Sequence, residues 1–149
     1  MVIASTDLKN PIRVETIRFG AIDVDASMIF TFPEGLVGFP AARQFAVMED
    51  ANGPLQWLQS MEDPRLAFVI VDPALFVPDY RVRVHPAELA SIELAGPEDS
   101  RVAVILSIPS EPRQMTANLQ GPLIFNHARQ LAKQLVLGDY STKYRVISG

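Results

Sequence analysis

Apolar and polar residues alternate along this chain in short runs, and helical periodicity is rare. Val14 to Phe19 reads as a strand, with Ile17 and Phe19 on one face and Arg18 on the other. Gly20-Ala21 then turns the chain into Ile22-Asp23-Val24-Asp25, so a hairpin is expected. Met28 to Phe32 is a third strand, with Met28, Phe30 and Phe32 facing one way. Two prolines and two glycines in Pro33–Pro40 demand a loop of tight turns, with Leu36 and Phe39 as its apolar anchors. Ala41 to Gln44 is expected to make a single helical turn and Phe45 to Met48 a short strand. Leu55 to Met61 follows as a strand in which Leu55, Trp57, Gln59 and Met61 share a face.

The unbroken apolar run Leu66 to Val71 predicts a strand buried on both faces. Asp72-Pro73 ends it. The next residues, Ala74 to Tyr80, stay apolar at Leu75, Phe76, Val77 and Tyr80, yet Pro73 and Pro78 forbid a regular strand there. An apolar loop beside a buried strand either plugs the core or is covered by another protein. The pattern leaves both open. Arg81-Val82-Arg83-Val84 alternates basic with apolar, so one of its faces is wet. Pro86 to Leu94 is the one good helix, with Pro86 at its first position, Glu88 in its first turn, and Leu89, Ile92 and Leu94 inward. Val102 to Ile108 is a second strongly apolar strand. Met115 to Leu119 and Pro122 to Phe125 are short strands, Asn126 to Arg129 is a hairpin turn, and Gln130 to Leu137 is a long strand.

About ten short strands with no helical crossovers predict a mostly β fold. The expected architecture is a small antiparallel β-barrel-like single domain with one or two short helices, because closure removes exposed edges. Residues 1–12 are expected to form a flexible arm, since Asn10-Pro11 interrupts any extension, and 13–149 the domain.

Composition narrows the function classes. The 149 residues are enough for one core, and 48% are hydrophobic. There is no cysteine, which excludes disulfides and thiolate chemistry and fits a reducing cytoplasm. No run approaches the ~20 apolar residues of a membrane-spanning helix. Residues 1–100 carry 7 basic and 15 acidic side chains, a net of −8, whereas residues 101–149 carry 6 and 2, a net of +4. An acidic body with a basic end is either a dipolar surface for a charged partner or two unrelated solvated faces, and the net charge of −4 argues only weakly against nucleic-acid binding.

Candidate chemistry is sparse. His85 and His127 lie far apart at loop positions without metal-ligand spacing. The acidic pairs Glu49-Asp50, Glu62-Asp63 and Glu98-Asp99 sit in turns without calcium-loop spacing. Neither a Gly-x-Gly-x-x-Gly fingerprint nor a phosphate loop is present. Neither a catalytic, a metal nor a cofactor site is assigned. Binding residues are instead sought among loop-borne apolar and aromatic groups: Leu36, Phe39, Phe76, Pro78 and Tyr80, with Asp79 as polar neighbour and Met115 and Asn118 added. The alternative is that these residues close the barrel.

Several motifs fall in a fixed order: Phe19-Gly20 with Ile22-Asp23-Val24, Phe32 to Phe39, Trp57-Leu58-Gln59-Ser60, and Asp63-Pro64 leading into Ala67 to Pro73. Pro78-Asp79-Tyr80, Met115 to Leu119, Pro122 to Asn126 and Tyr140-Ser141-Thr142 complete the set. Together, in this register, they resemble the flagellar assembly factor FliW family. The resemblance implies a cytoplasmic, non-enzymatic β-barrel protein without cofactor that binds flagellin and the translational regulator CsrA. It implies allosteric antagonism of CsrA, which relieves repression of flagellin mRNA. A flagellin chaperone without a CsrA link is the alternative, and a small β-barrel enzyme or ligand carrier, which needs a deep polar pocket, is the third reading. The chain departs from the family pattern at Gln120-Gly121, where an alanine more often precedes the proline, and at Lys143-Tyr144-Arg145.

Overall fold

The computed structural model describes residue 3 and residues 8–146. Among the described residues, eleven strands and one α-helix follow in order. Strands β1 (Pro11–Thr16) and β2 (Gly20–Asp25) form the first hairpin, with Val14 opposite Ile22 and Ile12 opposite Val24. Then come β3 (Ile29–Thr31), β4 (Gln44–Glu49), β5 (Gln56–Ser60) and β6 (Ala67–Val71). Helix α1 (Pro86–Ser91) precedes β7 (Arg101–Ser107), β8 (Thr116–Ala117), β9 (Leu123–Asn126), β10 (Leu131–Gln134) and β11 (Tyr144–Arg145).

Seven strands, β3-β4-β5-β6-β7-β9-β10, close into a barrel. Strand β7 makes closure possible by dividing one edge between two partners. Arg101 to Ala103 pair with β9, whereas Leu106 and Ser107 pair with β8. Its other edge pairs with β6. The seam lies between β10 and β3, which are parallel and meet at Leu131 and Thr31. It is the one departure from the expected antiparallel sheet among the described pairings. Gln130 stitches it. Its carbonyl accepts from the Thr31 N–H at 2.9 Å, and its side-chain amide donates to the Ile29 carbonyl at 2.8 Å. Gln130 holds φ at +54°, a left-handed conformation that a side chain tolerates at a cost.

Period-two alternation divides the apolar residues between two faces of the sheet. Phe30, Phe32, Phe45, Leu58, Ile70, Leu123 and Phe125 fill the barrel interior, with Phe32 set edge-on to Phe45 at 5.3 Å. The alternate residues Ala46, Met48, Trp57, Val69, Val71, Val104 and Leu106 form an outer layer. The β1–β2 hairpin covers part of this layer through Val14 and Val24, and Phe19 packs edge-on to Trp57 at 5.6 Å. The expected strand over Leu66–Val71, with both faces buried, is therefore a central barrel stave. A third cluster lies under α1, where Leu89, Ile92 and Leu94 meet Ile124 and Leu135.

Several boundaries differ from the pattern-based reading. The first strand stops at Thr16, because the Thr16 hydroxyl accepts from the Phe19 N–H and donates to the Gly20 carbonyl, which builds the turn at residues 17–19. Gly20 therefore begins β2, and Ile17 is exposed in the turn. Ala41 to Gln44 makes no helical turn. The Glu62 carboxylate accepts from the Gln44 N–H at 3.0 Å, which draws that segment into the sheet. Helix α1 ends at Ser91, before the expected Leu94, and Glu93 reverses the chain at φ +59°. Gln130–Leu137 contains only the four-residue strand β10. Of the expected arm, residues 1, 2 and 4–7 lie outside the described residues. Pro11 and Ile12 already belong to β1, because Pro11 needs no donor at a strand's first position.

Candidate partner-binding surface

The loop joining β3 to β4 closes one end of the barrel. Leu36 and Phe39 exchange backbone hydrogen bonds at 3.1 and 2.8 Å, forming a tight bridge. Gly35 is required within it: φ is +68°, and a Cβ would lie 2.5 Å from the Pro40 carbonyl oxygen. The two anchors then part ways. Leu36 is 3% exposed and packs into the barrel interior, whereas Phe39 is 42% exposed and rests edge-on against Phe68 at 5.6 Å. Val37, which the apolar pattern did not single out, is 67% exposed at the loop tip. Pattern alone gives no signal for this, because three apolar residues follow within four positions and only the bridge decides which turns out.

Asp72 caps a 3-10 turn at Pro73–Leu75 by accepting from the Ala74 N–H at 2.9 Å. The turn folds the following segment back on the outer layer. Phe76 stacks on Tyr144 at 6.0 Å, and Tyr80 meets Tyr140 edge-on at 4.7 Å. The Tyr80 hydroxyl donates to the Leu119 carbonyl at 2.6 Å. Burial, with Tyr140 adding to it, pushes the Tyr80 phenol well above its ordinary range. Phe76, Val77 and Tyr80 thus cover the core, while Leu75, Pro78 and Asp79 face solvent. Met115 packs against the same outer layer. The Asn118 side-chain oxygen accepts from the N–H groups of Gln120 and Gly121 at 3.1 and 3.0 Å.

These segments form a hydrogen-bonded succession. Tyr80 reaches Leu119, Asn118 holds Gly121, Gln134 donates to the Gly121 carbonyl at 3.0 Å, and the Val37 N–H donates to Gln134 at 2.8 Å. The structure therefore links all three loops that carry the expected binding residues. Gln134 is a member that sequence reasoning missed, since a glutamine on a strand has no distinguishing local signal.

The opposite end of the barrel is a depression of about 750 Å³, rimmed by Glu49, Gln56, Asp72, Arg101 and His127. His127 sits edge-on to Phe30 at 5.0 Å. Burial and, secondarily, Arg101 hold its imidazole below the ordinary histidine range. The residues beneath, Val47, Ile70 and Phe125, belong to the packed interior, so the depression does not continue into a deep polar pocket. Among the described residues, no three His, Asp or Glu side chains gather as a metal-binding group. Nor is any described helix long and apolar enough to cross a membrane.

Residues 13–146 match the family model described as FliW protein. The chain belongs to the FliW family of flagellar assembly factors. It is 40% identical over 129 residues to flagellar assembly factor FliW 2 of Desulfotalea psychrophila, an alignment covering 85% of each chain. It is 35% identical over 133 residues to flagellar assembly factor FliW of Bdellovibrio bacteriovorus, covering 89% of this chain and 76% of that one. A crystal structure of the flagellar assembly factor FliW superposes with a TM-score of 0.85 at 30% identity, covering 93% of this chain and 99% of the other. The resemblance expected from the motifs and the mostly β barrel are both borne out.

Proposed function

We propose that this protein is a non-enzymatic, cytoplasmic flagellar assembly factor that binds flagellin and the translational regulator CsrA. Binding antagonises CsrA allosterically and so relieves repression of flagellin mRNA. The observation that carries the reading is the FliW family match across residues 13–146. Two features support it. The linked loops offer exposed apolar groups without a convergent catalytic set, which suits docking better than chemistry. The acidic first two-thirds of the chain suits a basic RNA-binding partner and would repel RNA phosphates within about 8–10 Å at physiological salt.

The contact residues in this reading are Leu36, Phe39, Phe76, Pro78, Asp79, Tyr80, Met115 and Asn118. Phe39, Pro78 and Asp79 supply exposed surface, and the more buried members shape the loops that present it. The test is a competition. The full chain is immobilised and loaded with cognate CsrA, and cognate flagellin is titrated in. Release of CsrA by flagellin, together with restored translation of a flagellin-leader reporter, is expected. Failure to bind either protein at micromolar concentration overturns the proposal, and binding of flagellin alone reduces it to a chaperone role.

A further inference from the structure

The hairpin between β4 and β5 turns through Asp50-Ala51-Asn52-Gly53-Pro54, and residues 51–54 are all exposed. The Asp50 N–H donates to the Leu55 carbonyl at 3.1 Å and closes the turn. The Asp50 carboxylate accepts the Asn52 N–H at 3.2 Å. The next link is not held: among the described residues, neither the Asn52 side-chain amide nor the Gly53 N–H has a hydrogen-bond partner.

That freedom matters because of what an asparagine followed by glycine can do. The backbone nitrogen of the following residue can close a five-membered ring on the side-chain carbonyl carbon, so the reaction is intramolecular. A Cβ on the following residue hinders the approach, and glycine has none. At Asn52 both reacting groups are unbonded, reached by water, and carried on a surface turn outside the strand ladder.

The other three asparagines are protected, each for a visible reason. Asn10 precedes Pro11, whose nitrogen carries no proton to lose. The Asn118 side-chain oxygen accepts from the N–H groups of Gln120 and Gly121, and the Leu119 N–H is committed to the Ser141 carbonyl. Asn126 is buried, and its side chain both donates to the Ile92 carbonyl and accepts from the Arg129 N–H.

We propose that Asn52-Gly53 is a site of spontaneous modification in the folded protein, at which Asn52 converts to aspartate and isoaspartate. The Gly53 nitrogen bonds to the Asn52 side-chain carbonyl carbon. The bond from that carbon to Nδ2 breaks, and ammonia leaves with the Gly53 proton. One water then opens the cyclic imide. Cleavage of the new bond gives aspartate, and cleavage of the original peptide bond to Gly53 gives isoaspartate, with one more carbon in the backbone. Neither an oxidant nor a reductant takes part. Either product adds a negative charge beside Glu49 and Asp50, in the part of the chain that is already acidic. The inference stands independently of the partner-binding reading.

The experiment ages the full, folded chain at mildly alkaline pH and digests it with trypsin, which releases residues 44–65 as one peptide. Mass spectrometry should find the amide-to-acid mass gain in that peptide, and an isoaspartate methyltransferase should methylate it. Peptides holding Asn118 and Asn126 should gain the same mass only after ageing in urea. Gly53→Ala should slow the reaction by about tenfold, because the added Cβ shields the attacking nitrogen. Its melting temperature should not change, since that Cβ meets only Asp50 Oδ2, at an ordinary contact distance of 3.4 Å. Asn52→Gln is the second control: its extra methylene demands a six-membered ring, so the peptide should stay unmodified over the same period. A peptide 44–65 that reacts in urea but not in the folded chain overturns the site, because the fold then protects Asn52. Equal rates in Gly53→Ala and wild type overturn the route through the Gly53 nitrogen.

Discussion

The hydroxyl of Tyr80 donates to the carbonyl of Leu119 across 39 residues of chain, at 2.6 Å. This bond ties the proline-broken segment to the stretch just after β8, whose Leu119 N–H donates to the Ser141 carbonyl, and helps turn an apolar loop into a cover for the outer layer. Leu75, Pro78 and Asp79 remain on its outer side.

Tyr80→Phe should therefore lower stability by about 0.5–1.5 kcal/mol, the net worth of one hydrogen bond, and leave the fold intact. Phe76→Ala should cost more than Tyr80→Phe, because the aromatic body and its stack on Tyr144 are lost, yet less than the ~3–5 kcal/mol of a fully buried phenylalanine. Urea denaturation measures both. A midpoint unchanged in Phe76→Ala would mean that the segment does not cover the core.

The barrel seam offers a sharper comparison. Gln130→Ala removes the amide that donates to Ile29 while keeping a Cβ at φ +54°. Gln130→Gly removes the same amide but relaxes the backbone. Both should destabilise by about 0.5–1.5 kcal/mol through loss of the hydrogen bond to the partly buried Ile29 carbonyl, with alanine the worse of the two. Equal midpoints for the two variants would show that the left-handed backbone stores no strain.

A buried glutamine organises the β5–β6 turn. The Gln59 side-chain nitrogen lies 3.2–3.3 Å from the carbonyls of Ser60, Asp63, Pro64 and Leu66. Its two N–H groups are shared among these oxygens, and the carbonyls of Asp63, Pro64 and Leu66 also accept from the backbone N–H groups of Leu66, Ile17 and Ser60, so Gln59→Leu removes the side-chain donor without orphaning them. The expected loss is about 0.5–1.5 kcal/mol, read as a lower urea midpoint with an unchanged slope. Backbone exchange in residues 61–66 should quicken in the same variant.

Acid should weaken the protein through His127. Its folded-state pKa is held below the ordinary 6.5, so the unfolded chain binds a proton more readily. Stability from this group is thus complete above about pH 6.5 and is lost as pH falls toward the depressed folded value. His127→Gln should flatten that part of the stability curve relative to wild type. Thermal midpoints from pH 7.5 down to 5 test it, and an undiminished slope in the variant would assign the acid sensitivity elsewhere.

Much of the fold was legible in the alternation. Phe45 and Val47 against Ala46 and Met48, or Ile70 against Val69 and Val71, divide between the barrel interior and the outer layer as period-two reading requires. Pro86, Glu88 and the inward Leu89 and Ile92 marked α1 for equally local reasons. The site was less legible. Leu36, Phe39, Phe76 and Tyr80 stood out as loop-borne apolar groups, but their exposure depends on contacts made tens of residues away.

The sequence by itself determined the family, the strands and the face of each strand that turns inward, because these rest on motif order and on a periodicity of neighbouring residues. Tertiary structure alone decided three things. It set the parallel seam at Leu131 and Thr31, divided the β7 edge between β9 and β8, and chose Val37 over Leu36 as the outward residue of the glycine-rich loop. Each depends on backbone groups far apart in the chain finding one another, as Gln130 finds Ile29 and Gln134 finds Val37. No local pattern encodes such a meeting, since a glutamine reads the same in sequence whether it faces water or closes a barrel.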